Sequence, residues 1–372
     1  MALWDRLREG ARRIWGPGQL PHAAAAGDLE PADFSVKALW RAYRLRLRRR
    51  GFLLRAFAKQ GELRRVADRT GLIRPGAILA FVTVRNEALR LPYFLQHHRR
   101  LGVDHFLIID NASTDDTLAL VQGQADVSVW QAFGGYKAAR FGVDWLTALL
   151  WRHGAGHWCL TLDADELLIY PNWETRPLRA LTEHLAAEGR ESFGAMMLDL
   201  YPKGPLAAQR YAAGQNPVEV LEWFDRGNYL VQVQPRMRNL WIQGGVRARV
   251  FFGAEPRRAP TLNKVPLVRW RRGYAYVNST HAILPPRLNA VFDETGGEVL
   301  SGILLHTKFL PQVVEKSAEE RLRREHFANS DLYDTYYAGL TASPDLWSPA
   351  SCRYEGWRQL EALGLMSRGG WV

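Results

Sequence analysis

Cysteine is nearly absent. Cys159 and Cys352 are the two in 372 residues, and no C-x-x-C spacing exists. That excludes a disulfide framework and a cysteine-built zinc site, and it fits a reducing compartment. Each thiol reads as a small buried apolar side chain rather than a nucleophile. No apolar run approaches the roughly 20 residues needed to cross a bilayer. The opening residues Met1-Ala2-Leu3-Trp4-Asp5-Arg6 lead into no long apolar core, so no secretory signal is expected, and the expected location is cytoplasmic. No G-x-G-x-x-G follows the first apolar strand and no Walker A loop occurs, which removes the usual dinucleotide and P-loop fingerprints. Internal repeats and low-complexity stretches are also missing.

What remains is a chain able to bury a large core, with 47% hydrophobic and 23% charged residues. Its net charge of +11 is unevenly placed. Residues 1–75 hold 17 Lys+Arg against 7 Asp+Glu, so +10 of the +11 lies in that stretch and the body is almost neutral. Nucleic acid is therefore not an expected partner, because its footprint would be a basic patch on the folded domain.

The organisation follows this split. Residues 17–33, rich in Pro, Gly and Ala, read as a linker between a short first helix and a longer one. Over 34–66, Val36, Trp40, Tyr43, Leu47 and Leu54 recur at helical spacing among arginines, with Gly51 and Gly61 interrupting or ending the helix. Such a helix is a candidate for peripheral contact with anionic lipid; an appendage packed on the body with solvated arginines fits the same pattern. From Pro75 the chain alternates strand and helix. Strands are expected at 78–84, 105–109, 127–130 and 158–162, and helices from Pro92 to Gly102, at 117–121 and at 137–152. This alternation predicts an α/β fold with a mostly parallel sheet flanked by helices. Ligands in such sheets bind beyond the carboxyl ends of the strands, where Asp110 and Asp163 fall. Further strands are expected at 193–200, 229–233 and 247–252, and a charged helix at 315–327.

Asp163-Ala164-Asp165-Glu166 sits where the fourth strand runs out. On an extended chain residues i and i+2 share a face, so the two aspartates are expected to converge. Hard divalent cations take carboxylates together with substrate phosphates. A bare D-x-D is common, and read alone it is more often a solvated turn. Its context is specific. Phe81-Val82-Thr83-Val84-Arg85-Asn86-Glu87, then Ile108-Ile109-Asp110-Asn111-Ala112-Ser113-Thr114-Asp115-Asp116-Thr117, then Leu162-Asp163-Ala164-Asp165-Glu166, at three successive strand ends, resemble glycosyltransferase family 2 and its GT-A relatives. The branch most similar is the bacterial one related to family 92, and the resemblance is ordered over 76–170.

The resemblance implies a GT-A domain at 76–310, with an N-terminal basic helical extension at 1–75 and a C-terminal helical cap at 311–372. It implies a hexosyltransferase of polysaccharide biosynthesis that moves a sugar from a nucleotide-sugar donor to a glycan or lipid-linked acceptor hydroxyl, with inversion and with Mn²⁺ or Mg²⁺ as cofactor. Thr83, Asn86 and Glu87 would line the nucleoside pocket, Asp110 would hydrogen-bond the base, and Arg140 would lie near base or diphosphate. Asp163 would contact ribose or metal, and Asp165 would be the principal metal ligand. By the same resemblance a late histidine completes the metal shell and a nearby cation holds the diphosphate. His306 with Lys308 is the preferred pair and His281 the second choice. On the residues alone, Asn86 and Glu87 read equally as helix caps and Arg140 as a solvated helical arginine. Asn111-Ala112 departs from the commoner Asp-Gly, which leaves the base open.

An inverting transferase needs a general base. Asp199 is the expected one, with Glu219, Glu222 and Asp225 as alternatives. Gly244-Gly245-Val246-Arg247-Ala248-Arg249 reads as a phosphate or acceptor loop, or as a plain hairpin with solvated arginines. Three other functions remain open: a nucleotidyltransferase using the same carboxylates, a non-catalytic scaffold on anionic membranes and, last, nucleic-acid binding through the basic residues 1–75.

Overall fold

The computed structural model describes residues 13–14, 35–292, 299–323 and 330–371. The 17–33 linker, the end of the 315–327 helix and most of the expected first helix lie outside the described residues; Arg13–Ile14, from the stretch before the linker, form a strand paired with Leu230 and Val231.

A nine-stranded sheet forms the centre. Its strands are β1 Leu63–Ala67, β2 Ile78–Val84, β3 His105–Asp110, β4 Val127–Ala132, β5 Trp158–Asp163, β6 Glu166–Ile169, β7 Ser192–Asp199, β8 Asn263–Arg269 and β9 Gly302–His306. They lie in the order β1-β4-β3-β2-β5-β8-β7-β9-β6. β4, β3, β2 and β5 are parallel neighbours, as are β7 and β9; β1, β6 and β8 run against them. The fold is thus mixed α/β with a mostly parallel sheet flanked by helices, as expected.

The helices are α1 Val36–Lys59, α2 Leu91–Leu101, α3 Thr117–Gln122, α4 Val143–Leu149, α5 Leu178–Ala187, α6 Gly245–Phe251, α7 Val313–Arg323, α8 Ser330–Thr341 and α9 Trp357–Ala362. Both faces of the parallel strands are covered, so they read as continuous apolar runs. Along β2, Ile78, Ala80 and Val82 enter one core with Phe94 and Leu95 of α2, whereas Leu79 and Phe81 enter a second core with Trp145 and Leu149 of α4. Burying each such side chain stabilises the fold by about 1.5–3 kcal/mol. Pro92 in the first turn and Gly102 at φ 101° delimit α2.

Several expectations change. Gly51 does not interrupt α1, which runs unbroken from its Ser35 cap, where Oγ accepts from Ala38 N at 3.2 Å, to Lys59. Residues 63–67, assigned to the helical extension, form an edge strand paired with β4, so extension and body share one sheet. The helix expected at 137–152 starts only at Val143, because Arg140, Phe141 and Gly142 are all left-handed. Residues 247–251 belong to helix α6 rather than a strand, and Phe252 caps its end. Gly244 and Gly245, both at positive φ, turn the chain there, and the helix carries Arg247 and Arg249 to buried carboxylates. In the C-terminal region α7, α8 and α9 alternate with turns and extended chain, and Ser351–Arg353 pairs with Trp223–Asp225.

Candidate functional site

Parallel strands bring Val84, Asp110, Asp163, Asp199 and His306 to one edge of the sheet, and β6 and β8 begin at that same edge. A cleft of about 680 Å³ opens over it, a size suited to a small-molecule ligand.

The acidic motif does not stay extended. Ala164-Asp165 form a tight turn into β6, so the two aspartates take different partners instead of converging. Asp163 Oδ2 accepts from Lys264 Nζ at 2.8 Å, and the same ammonium lies 2.5 Å from Glu166 Oε1. Lys264 is 2% exposed and Glu166 fully buried, while the Asp163 side chain keeps 47% of its surface. Burial pulls the lysine's pKa down, but Asp163 and Glu166 outweigh it and hold it above its ordinary value. Burial keeps the Glu166 carboxyl above the usual range despite Lys264.

Asp165 turns the other way. Its Oδ2 lies 3.2 Å from His306 Nε2, and His306 Nδ1 lies 2.5 Å from Asp199 Oδ1. Asp199 Oδ2 in turn accepts from Arg247 Nε at 2.7 Å. Burial would lower the imidazole's pKa, yet the two aspartates hold it above its ordinary value. Burial would raise Asp165, but His306, Arg90 and Lys308 keep it well below the carboxylate range. Thr307 clamps the backbone of the turn, its N–H donating to Asp165 O at 2.7 Å.

Asp199, the expected general base, is not on the cleft wall. It is buried, both oxygens are engaged, and Arg247 with His306 holds its pKa down against burial. Its geometry is that of a group orienting His306. Glu219, Glu222 and Asp225 are not on the cleft wall. Asp225 is held by Arg249 at 2.7 Å and by the Tyr201 hydroxyl, and Glu222 pairs with Arg353.

The other expected residues divide. Thr83 lines the cleft, and its Oγ1 is buried without a hydrogen-bond partner. Asn86 and Glu87 also line it, but they tie loops together: Asn86 Oδ1 accepts from Thr114 N at 2.8 Å, and Glu87 pairs with Arg90 at 3.0 Å and Lys316 at 2.6 Å. Asp110 is fully buried and off the cleft wall, accepting from Ser113 N at 3.2 Å and Gln131 Nε2 at 3.4 Å. Arg140 is off the wall too. It pairs with Asp144 at 2.6 Å, donates to the Tyr276 and Val277 carbonyls, and stacks over Phe52 at 4.0 Å. His281 lines the cleft with Nδ1 2.7 Å from Asn263 O, and burial beside Lys264 pulls its pKa down to about 3.

Three site residues escaped the sequence reading: Lys264, Arg90 and Lys316. Lys264 left one signal, a cation directly before the apolar run Val265–Val268. Arg90, 5% exposed, donates to the carbonyls of Thr307 at 3.3 Å and Lys308 at 3.1 Å, and so fixes the turn carrying Lys308. Lys308, just past the end of β9, lines the cleft and has no carboxylate within ion-pair reach among the described residues. Burial lowers its pKa. Eight lysines and arginines line the cleft against five carboxylates. Such a wall attracts a polyanion, and a low-dielectric cleft focuses that field.

No protein-family profile matches the chain, and no curated protein does. Solved structures similar to it include a mannosyltransferase from Pyrobaculum calidifontis in complex with GDP-Man and Mn²⁺, at 20% identity and TM-score 0.24, covering 45% of this chain and 47% of that one. Another is glucosyl-3-phosphoglycerate synthase from Mycobacterium tuberculosis with Mn²⁺, UDP and its product, at 18% identity and TM-score 0.20, covering 35% and 46%. A third is a putative glucose-1-phosphate thymidylyltransferase from Bacillus anthracis, at 9% identity and TM-score 0.27, covering 70% and 83%. The chain spans about half the length of the first two.

Proposed function

We propose that this chain is a metal-dependent glycosyltransferase that binds a nucleoside-diphosphate sugar in the cleft and transfers the sugar to an acceptor hydroxyl. The observation that carries the reading is the approach of Asp165 to the Nε2 side of His306, with Asp199 holding the ring from its other nitrogen. A carboxylate bonded to Nδ1 leaves Nε2 as an electron-pair donor, the usual arrangement of a metal-bound imidazole. Asp165 and His306 would hold the ion, and this oxygen–nitrogen donor set suits Mn²⁺ better than Mg²⁺. A bound metal supplies charge that offsets the diphosphate leaving as the glycosidic bond breaks.

The chain's own groups complete the site. Lys308, free of any carboxylate pair among the described residues and held near Arg90, would hold the diphosphate. Asp163, half exposed and anchored by Lys264, is available to accept from a ribose hydroxyl. Thr83 Oγ1 offers an unused hydrogen bond at the cleft wall. Glu87 organises this wall through Arg90 and Lys316. The acceptor class that fits the reading is a polysaccharide or lipid-linked glycan. With Asp199 committed to His306, a base for inversion comes from elsewhere, so the anomeric configuration of the product is read directly.

Product analysis tests the reaction class. Incubation with nucleotide-sugars and Mn²⁺ is expected to release a nucleoside diphosphate. Release of pyrophosphate from a nucleoside triphosphate and a sugar phosphate would establish nucleotidyl transfer instead.

A further inference from the structure

An amphipathic helix on a globular body normally turns its apolar face inward. Helix α1 does the reverse. At 100° per residue, Val36, Trp40, Tyr43, Leu47 and Leu54 fall within an arc of about 60°. All five are exposed, Trp40 at 60% and Leu54 at 71%. The opposite face, with Leu45, Phe52 and buried Ala56, packs against α4. Seven of the twelve exposed large hydrophobic residues among the described residues belong to this one helix. Clustering of that kind marks an interaction surface, whereas scattered exposed apolar residues do not.

Charge selects the occupant. α1 carries nine Lys or Arg and no Asp or Glu. On the helical wheel Lys37, Arg44 and Arg48 flank the stripe on one side, and Arg46 and Arg50 on the other. A second copy of this chain would set like charge against like charge. A soluble polyanion would satisfy the arginines and leave the stripe in water. An anionic bilayer surface meets both demands, taking the apolar side chains below its headgroups while the flanking cations reach its phosphates. No helix among the described residues is long and apolar enough to cross a membrane, so the association is peripheral.

We infer that α1 docks the protein on an anionic lipid surface through this outward stripe. Docking is linked to the cleft. Arg55 of α1 pairs with Asp144 at 3.1 Å, and Phe52 lies under the Arg140 guanidinium. Arg140 precedes Phe141, which lines the cleft. The helix that meets the lipid is thus fastened to the cleft wall, which suits an acceptor held at the membrane. The lipid contact itself does not depend on the chemistry of the cleft.

The test is sedimentation of the full chain with vesicles of phosphatidylcholine alone and of phosphatidylcholine mixed with phosphatidylglycerol. The expected result is pelleting with the anionic vesicles, little with the neutral ones, and weakening by salt. The double variant Trp40→Glu, Leu47→Glu changes solvated positions and is expected to lower partitioning by about tenfold or more, because two apolar anchors are lost. Arg44→Glu, Arg50→Glu is expected to lower it as well, with unchanged thermal melting in both variants. Absence of pelleting with anionic vesicles overturns the inference. So does pelleting that the arginine variant loses and the Trp40, Leu47 variant keeps, since that is polyanion binding alone. A dimer abolished by the Trp40, Leu47 variant, without lipid binding, assigns the stripe to a second copy and equally overturns it.

Discussion

His306 and Asp199 end neighbouring parallel strands in register, with His306 Nδ1 2.5 Å from Asp199 Oδ1. The carboxylate fixes the ring's orientation before any ligand arrives. Asp199→Asn keeps the shape and removes the charge, so Mn²⁺ affinity is expected to fall about 10–100-fold, as for other groups that orient a metal-bound histidine. A Mn²⁺ titration followed by electron paramagnetic resonance reads it; unchanged affinity would separate Asp199 from the metal.

Lys264 holds two carboxylates at once. Lys264→Met leaves Glu166, fully buried, with no counter-charge beside Asp163. Breaking a buried pair in this way costs about 3–5 kcal/mol. Urea unfolding is expected to show that loss, and adding Glu166→Gln is expected to recover part of it.

Gly302 lets β9 lie close to its neighbours. A Cβ there would stand 2.6 Å from Ile169 O and 2.9 Å from the Phe193 ring. Gly302→Ala is expected to destabilise the protein by about 1–3 kcal/mol. Because β9 ends at His306, metal binding is expected to weaken in the same variant, which calorimetry measures alongside the melting temperature.

Two buried histidines close the open side of the edge strand β6. His97 Nε2 donates to Leu168 O at 2.8 Å, and His98 Nε2 accepts from Leu168 N at 3.5 Å while its Nδ1 donates to Phe94 O. Protonating His98 would set a donor against a donor. Burial, opposed by the Leu168 carbonyl, pulls His97 down to about 4, and burial takes His98 well below its ordinary value. Folded pKa values below the unfolded value mean that the unfolded chain binds protons first. Stability is complete above about pH 6.5 and falls as pH drops towards 4, by about 3 kcal/mol for His97 alone. Denaturant melts across this range are expected to show the slope, and His97→Gln is expected to reduce it.

The parallel strands β2 to β5 were legible because burial on both faces writes an unbroken apolar run between turn residues. β8 was not. Its sequence Asn263-Lys264-Val265-Pro266-Leu267-Val268-Arg269 carries a lysine and a proline, and the structure accommodates Pro266 where the register shifts between Lys264 and Leu267. Residues 247–252 misled because Val246, Ala248 and Val250 alternate like a strand, whereas ion pairs to Asp199 and Asp225 and the Gly244-Gly245 turn favour a helix. At the site, the motif order located the edge where the cleft opens, and both His281 and His306 line that cleft. The individual pairings were not legible. Which aspartate faces Lys264 and which faces His306 depends on a two-residue turn and on strands more than 90 residues away in sequence.

The most direct test of the account is calorimetric titration of nucleoside diphosphates and their sugars, with and without Mn²⁺, into the wild-type protein and Asp165→Ala. Mn²⁺-dependent binding of one nucleotide to the wild type, and its loss in the variant, are expected. Binding that is indifferent to Mn²⁺ and to Asp165, or no nucleotide binding at all, would contradict it.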